Sequence, residues 1–159
     1  MNIKLLVMDV DGTLTDGKIY IGAEGEVFKA FNVKDGYGIH DLLIPAGITP
    51  VIITGRKSGI VEARCRELGI ERCYQGVRDK VQQLDQLLQE MGQTYAQVAY
   101  IGDDLNDLPC IEKVRSNGGI VACPRDAVES VRNVAHFISI HDGGNGAVRD
   151  FIDTLIRKE

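Results

Sequence analysis

The sequence predicts an α/β fold in which a parallel sheet is covered by helices on both faces. Three observations carry that expectation. Short apolar, β-branched runs alternate with longer stretches of helical period. Each strand-like run ends in a polar or Gly-rich turn, and the two clearest helical stretches stop at a glycine suited to a left-handed cap. Strand followed by helix, repeated, gives a Rossmann-like architecture, because parallel neighbours need crossovers and those crossovers cover the sheet. Taken in order, residues 4–9 form the first strand. Residues 18–21 and 27–31 flank Gly22-Ala23-Glu24-Gly25 and read as a hairpin. Placed there, the hairpin is a flap over the crevice where open α/β sheets hold ligands, or a plain surface protrusion, and its open edges invite another subunit. Residues 49–54 form the next strand, and 58–68 a helix with Ile60, Val61, Arg64 and Leu68 on one stripe before Gly69. A helix over 81–91 repeats the pattern through Leu84, Leu87, Leu88 and Met91, and Thr94-x-x-Gln97 caps a short turn before the strand 98–102. A helix over 108–114, a strand over 120–122, a shorter helix over 127–132 and a last helix over 147–157 complete the chain.

The 159 residues suit one domain, 1–159, able to bury a core without disulfides or a structural metal. A formal net charge of -5 argues against a nucleic-acid or anionic-membrane partner, which would want clustered Lys and Arg. The apolar stretch over residues 1–8 is too short for a signal-peptide core, and no later run approaches bilayer length, so cytoplasmic residence is expected. Cys65, Cys73, Cys110 and Cys123 form no C-x-x-C pair and are expected to behave as small buried hydrophobes.

Chemistry is expected where the strands end. Asp9-Val10-Asp11-Gly12-Thr13 puts two carboxylates directly behind a buried strand, where an unpaired charge would be costly. A metal-assisted phosphoryl transfer would use both, one Asp as covalent nucleophile and the second managing the leaving-group proton and lending a backbone oxygen to a hard cation. A turn at Asp11-Gly12 with Asp9 as a cap is the plainer alternative. Thr54-Gly55-Arg56-Lys57-Ser58 offers a hydroxyl and free N–H groups at a helix start, suited to phosphate or to ordinary capping. Gly102-Asp103-Asp104-Leu105-Asn106-Asp107 packs three carboxylates into five residues, either a cation site or a solvated acidic loop. Asp9, the Asp11 carbonyl and Asp103 would leave room for waters and a phosphate oxygen, as magnesium prefers. Lys80 stands where a cation is needed to offset nucleophile and phosphate, although most lysines are simply on the surface.

This ordered set, D-x-D-G-T, a strand-terminal Thr, a Lys and G-D-D-x-x-D, resembles the haloacid dehalogenase superfamily along essentially the whole chain. The resemblance implies that Asp9 forms an aspartyl-phosphate, Asp11 is general acid and base, Thr54 and Lys80 hold phosphate, and Asp9, Asp11 and Asp103 bind Mg2+, with Asp104 and Asp107 as supporting acids. With no inserted cap domain, it points to the capless branch, whose sites are closed by neighbouring subunits, and so to a homo-oligomer, a tetramer. Phe31-Asn32-Val33-Lys34-Asp35-Gly36-Tyr37-Gly38, Thr54-Gly55-Arg56, Tyr74-Gln75-Gly76 and Gly144-x-Gly146-Ala147-Val148-Arg149 look like the 3-deoxy-D-manno-octulosonate 8-phosphate phosphatases of lipopolysaccharide sugar biosynthesis. That likeness makes Asp11, Asn32, Val33, Lys34, Asp35, Gly36, Gly55, Arg56, Arg64 and Lys80 substrate contacts for a phosphorylated keto-sugar acid. Two departures accompany it: His40 stands where relatives often carry arginine, and the chain stops at Glu159 where many extend a tail. The alternatives are a nine-carbon keto-deoxy-nononate or N-acylneuraminate 9-phosphate phosphatase, in which a Thr-Gly-Glu is expected in place of Thr54-Gly55-Arg56, and a non-catalytic sugar-phosphate-binding or partner-binding subunit.

Overall fold

The computed structural model describes residues 2–157. Strand β1 (Leu5–Met8) leads to the hairpin strands β2 (Tyr20–Gly22) and β3 (Gly25–Phe28), a short α1 (Val33–Tyr37) and a π-helical segment, Gly38–Leu43. Then come β4 (Thr49–Ile53), α2 (Gly59–Leu68), β5 (Arg72–Tyr74), α3 (Lys80–Met91), a 3-10 turn at Tyr95–Gln97 and β6 (Val98–Ile101). The rest is α4 (Leu108–Ser116), β7 (Ile120–Cys123), α5 (Glu129–Arg132), β8 (Phe137–Ile138) and α6 (Ala147–Ile156).

Six strands form one parallel sheet in the order β5-β4-β1-β6-β7-β8. The chain winds outward from β1 through β4 to β5, then crosses back to β6 and continues to β8. The winding direction therefore reverses at β1, and the crevice beyond its carboxyl end is where such sheets hold ligands. All four residues of β1 are fully buried, as expected of a central strand covered on two faces. Leu5 and Val7 join Leu84, Leu87, Ile111 and Val114 from α3 and α4. Leu6 and Met8 face the other way, in one cluster with Ile39, Val61, Leu68, Phe151 and Ile152.

Helix ends follow local chemistry. Ser58 caps α2 through its Oγ, which accepts from the Ile60 N–H at 3.2 Å, and Asp79 caps α3 by accepting from the Gln82 N–H at 2.9 Å. Gly69 and Gly92 close the two helices in left-handed conformation. The expected Thr94/Gln97 cap forms, with the Thr94 N–H donating to Gln97 Oε1 at 2.9 Å. The cysteines are free; Cys65, Cys110 and Cys123 are buried and Cys73 is half-buried.

Three features go beyond the sequence expectation. Strands β5 and β8 are three and two residues long, too short to show a period. The helical stretch from Val33 to Leu43 carries Gly36 and Gly38, poor helix formers, and forms because Ile39 and Leu43 are completely buried in the sheet-facing core. The hairpin forms as expected, but as a two-stranded sheet of its own, with Tyr20 and Phe28 stacked at 4.3 Å and Ile21 65 %, Val27 61 % and Phe28 49 % exposed.

Candidate active site

The strand order puts the ends of β1, β4 and β6 side by side, and their loops share one rim. The Asp9 N–H donates to the Ile101 carbonyl at 3.2 Å, extending the β1–β6 pairing by one residue. The chain then doubles back, and the N–H groups of Thr13, Leu14 and Thr15 all donate to the Val10 carbonyl. This turn needs glycine at position 12: its φ is +92°, and any Cβ there would overlap the Asp103 carboxylate. Asp103 thus lies directly on the Asp9 loop, and Thr13 fixes it by donating its hydroxyl to Asp103 Oδ1 at 3.0 Å.

Lys80, the first residue of α3, reaches into this cluster. Its Nζ donates to Asp9 Oδ1 at 3.0 Å and to Asp107 Oδ1 at 2.8 Å, and all three side chains are at most 5 % exposed. Asp107 also receives the Tyr100 hydroxyl on Oδ1 at 2.7 Å, and the N–H groups of Asp103 and Asp104 on Oδ2 at 3.0 and 3.4 Å. Carboxylate oxygens of Asp9, Asp103 and Asp107 lie within 4.8 Å of one another. Both oxygens of Asp107 are already taken by protein donors, so Asp9 and Asp103 are the ligands this cluster can offer a cation, and Asp107 braces them.

One ammonium stands against three carboxylates and contacts two of them, and the acids carry the imbalance. Burial, aided by Asp107, raises Asp9 to about 6 even against Lys80. Burial together with Asp9 and Asp107 pushes Asp103 to about 8. For Lys80 burial acts downward, but Asp107 and Asp9 outweigh it and its pKa is raised. A lysine held charged beside acids held partly protonated is a site short of positive charge, which a divalent cation on Asp9 and Asp103 would supply.

The cluster opens into a cleft of about 400 Å3 lined by Asp9, Asp11, Thr54, Gly55, Arg56 and Asp104 among others. Thr54 follows β4 directly and is 3 % exposed, its N–H donating to Tyr74 O at 2.9 Å and its carbonyl accepting from the Val77 N–H at 3.1 Å. The Asp11 side chain is engaged outside the acidic cluster. Its Oδ1 accepts from Lys29 Nζ at 2.6 Å, and its Oδ2 stands 3.9 Å from Arg56 Nε.

Asp9, Asp11, Thr54, Gly55, Arg56, Lys80 and Asp103 are therefore brought together. The other expected contacts are not brought to this cleft within one chain. Asn32 caps α1, its Oδ1 accepting from the Lys34 N–H at 2.8 Å, and Val33 is 79 % exposed on that helix. Val33, Gly36 and Arg64 instead line a separate surface groove with Tyr37 and His40. Arg64 pairs there with Glu67 at 2.9 Å and lies over the Phe31 ring. Asp35, also expected as a substrate contact, is 1 % exposed, and its Oδ1 accepts from the Arg149 N–H at 2.9 Å. Helix α6 starts at Gly146 without a side-chain cap of its own, and Asp35 serves as that cap from another part of the chain.

Tyr100, Glu26 and Lys29 are polar partners of the rim that no motif points to. A tyrosine inside a fully buried strand did carry a signal, since its hydroxyl needs a partner there. Glu26 and Lys29 carried none, because an acid and a base near a hairpin are ordinary.

Residues 41–114 match the haloacid dehalogenase-like hydrolase family. The chain is 46 % identical over 155 residues to the 3-deoxy-D-manno-octulosonate 8-phosphate phosphatase KdsC of Escherichia coli K12, covering 98 % of this chain and 80 % of that protein. Its fold superposes on the crystal structure of the phosphatase of that name from Yersinia pestis with TM-score 0.90 and 44 % identity, over 98 % of this chain and 81 % of the other. The Moraxella catarrhalis phosphatase, solved with a magnesium ion, a phosphate ion and KDO, gives TM-score 0.91 and 42 % identity, over 98 % and 87 %. An α/β sheet of this order, an acidic cluster at its switch point and these likenesses together place the chain in the haloacid dehalogenase-like hydrolases, in the family of the KdsC phosphatases.

Proposed function

We propose that the chain is a Mg2+-dependent phosphatase that hydrolyses 3-deoxy-D-manno-octulosonate 8-phosphate to the free sugar acid and inorganic phosphate. The observation that carries it is the Asp9–Lys80–Asp107–Asp103 cluster, open to a cleft that also holds Thr54 and Arg56. The acid short of a counter-charge, Asp103, and the nucleophile, Asp9, would hold the magnesium with the Asp11 backbone oxygen. Bound there, the ion neutralises charge on the phosphoryl oxygens and keeps Asp9 ionised.

The protein's own groups do the rest. Asp9 attacks phosphorus as the bond to the sugar oxygen breaks, while Asp11 gives its proton to the departing oxygen. In the second half Asp11 takes a proton from water as the water oxygen bonds to phosphorus and the phosphorus–Asp9 bond breaks. Phosphate leaves, and both aspartates are restored. Thr54 and Lys80 hold the phosphoryl oxygens, and Gly55 and Arg56 face the acid sugar across the cleft, the guanidinium being suited to its carboxylate.

The whole chain acts as one hydrolase domain, in the cytoplasm, as a tetramer. Exposed Ile21, Val27 and Phe28 on the hairpin, with Val33 and Tyr37 on α1, support association. In such an assembly the groove lined by Val33, Gly36 and Arg64, with Asn32 and Lys34 adjoining Val33 in the chain, would serve a neighbour's substrate. No helix among the described residues is long and apolar enough to cross a membrane. The test is turnover of the eight-carbon sugar acid phosphate against nine-carbon analogues, with and without magnesium. Preference for the eight-carbon substrate is expected, and equal or better turnover of a nine-carbon one would overturn the assignment of substrate.

A further inference from the structure

We propose that Lys29, anchored by Glu26 on the hairpin, is a positioning residue that fixes the Asp11 carboxylate for proton transfer. The inference rests on the acid/base reading of Asp11 given above. Lys29 follows β3 directly, and its side chain is only 2 % exposed although the hairpin around it is largely open. A lysine hidden to that extent needs its charge answered, and it is answered twice: by Asp11 Oδ1 at 2.6 Å and by Glu26 Oε2 at 3.0 Å. Glu26 in turn is held to the body of the protein, accepting from the Ser58 hydroxyl at 2.7 Å and lying 3.6 Å from Arg56. The chain of contacts therefore runs from the cap of α2, through the hairpin, to Asp11.

Geometry divides the two oxygens of Asp11. Oδ1 is engaged by the ammonium at 2.6 Å, whereas Oδ2 has only Arg56 Nε at 3.9 Å, and both Asp11 and Arg56 line the cleft. With Oδ1 pinned, proton exchange is confined to Oδ2, and the carboxylate plane is fixed before substrate arrives. Reaching this arrangement without Lys29 would require Asp11 to find the same rotamer unaided, and misplacement of a reacting group by about 1 Å can cost on the order of 100-fold in rate. The hairpin is thus a second support for the acid, in addition to an exposed protein surface.

The test compares leaving groups. A sugar phosphate departs as an alkoxide that needs a proton, whereas p-nitrophenyl phosphate departs as a stable phenolate that does not. In the magnesium-loaded full chain, Lys29→Met is expected to lower kcat/KM about 10- to 100-fold on the sugar acid phosphate and less than about threefold on p-nitrophenyl phosphate. Lys29→Arg should recover part of the loss, and Glu26→Gln should show the same leaving-group dependence at smaller amplitude, which keeps the test usable if Lys29→Met folds poorly. Equal losses on both substrates would overturn the proposal, since they would mark Lys29 as a phosphate contact or a structural prop. No loss on either would also overturn it. Asp11→Asn separates the two levels of the argument. If it shows the leaving-group dependence and Lys29→Met does not, the role of Lys29 fails alone. If Asp11→Asn lacks the dependence, the acid/base reading fails and the positioning role with it.

Discussion

The sheet rim and the hairpin with α1 are built on opposite principles. At the rim, Asp9, Lys80, Asp103 and Asp107 come from three separate segments, the loop after β1, the start of α3 and the loop after β6, and are buried or half-buried, with Asp107 completely so. Parallel register fixes them: Met8 lies opposite Ile101 and Ile52, so the residues that follow these strand ends are neighbours. The hairpin pairs only with itself among the described strands and exposes Ile21, Val27 and Phe28. A lone two-stranded ribbon is marginal in water. Here it is tied to the body by polar contacts of Glu26 and Lys29, while its apolar surface stays open. Reactivity is assembled inside one chain, and the hairpin beside it presents an open apolar surface.

If that division holds, changes at the rim should abolish chemistry, and changes to the exposed apolar side chains of the hairpin should alter assembly. The largest effect is expected for Asp9→Asn, which removes the nucleophile: phosphate release should fall by about 10,000-fold or more, with the folded state retained by thermal denaturation. Chelation of magnesium should have a comparable effect on turnover, reversed when the ion is restored.

Lys80→Met comes next. It leaves Asp9 and Asp107 buried without their shared cation, a change worth about 3–5 kcal/mol of stability by denaturant unfolding and about 100- to 1,000-fold in kcat. Stability unchanged within about 0.5 kcal/mol would show that the rim is less tightly organised than its contacts indicate.

Acidity at the rim gives a third test. Asp9 and Asp103 titrate at about 6 and about 8 in the folded chain, above the ordinary value of 3.8, so the folded state binds protons more tightly than the unfolded one. Their contribution is therefore fully present below pH about 4 and is lost as pH rises through 6 and 8. Metal-free protein should lose Tm over that window from this source, and added magnesium should raise Tm more at pH 8 than at pH 5. The reverse order would break the link between the acids and the cation. Smaller still is the effect expected on the fold from Phe28→Asp on the hairpin. It should shift sedimentation toward smaller species and leave the Tm of the remaining subunit within about 2–4 °C, the equivalent of about 1 kcal/mol.

Much of this was legible in the chain. Four of the six parallel strands, the helices from α2 onward and the hairpin follow from period and punctuation, because burial on two faces demands continuous apolar runs and helix ends demand caps and glycines. Asp9, Lys80 and Asp103 were legible because charged residues immediately after buried strands, or at the start of the helix that follows one, have few structural excuses. Asp107 looked like a lesser acid of a surface loop, yet its four donors make it the brace of the cluster. Nothing in residues 31–38 announces that Asp35 is withdrawn from the surface, because its partner is the start of a helix more than a hundred residues away.

By itself, then, the sequence determined the class of fold, the order of its elements and the identity of the acids that meet at the switch point, since those depend on period, burial and local capping. Only the tertiary structure decided which oxygens of those acids are free. It assigned Asp107 to bracing, Asp35 to capping α6, and Lys29 to Asp11. These outcomes depend on which donors arrive from distant segments, and a hydrogen bond between residues ninety apart, such as Thr13 to Asp103, leaves no pattern along the chain.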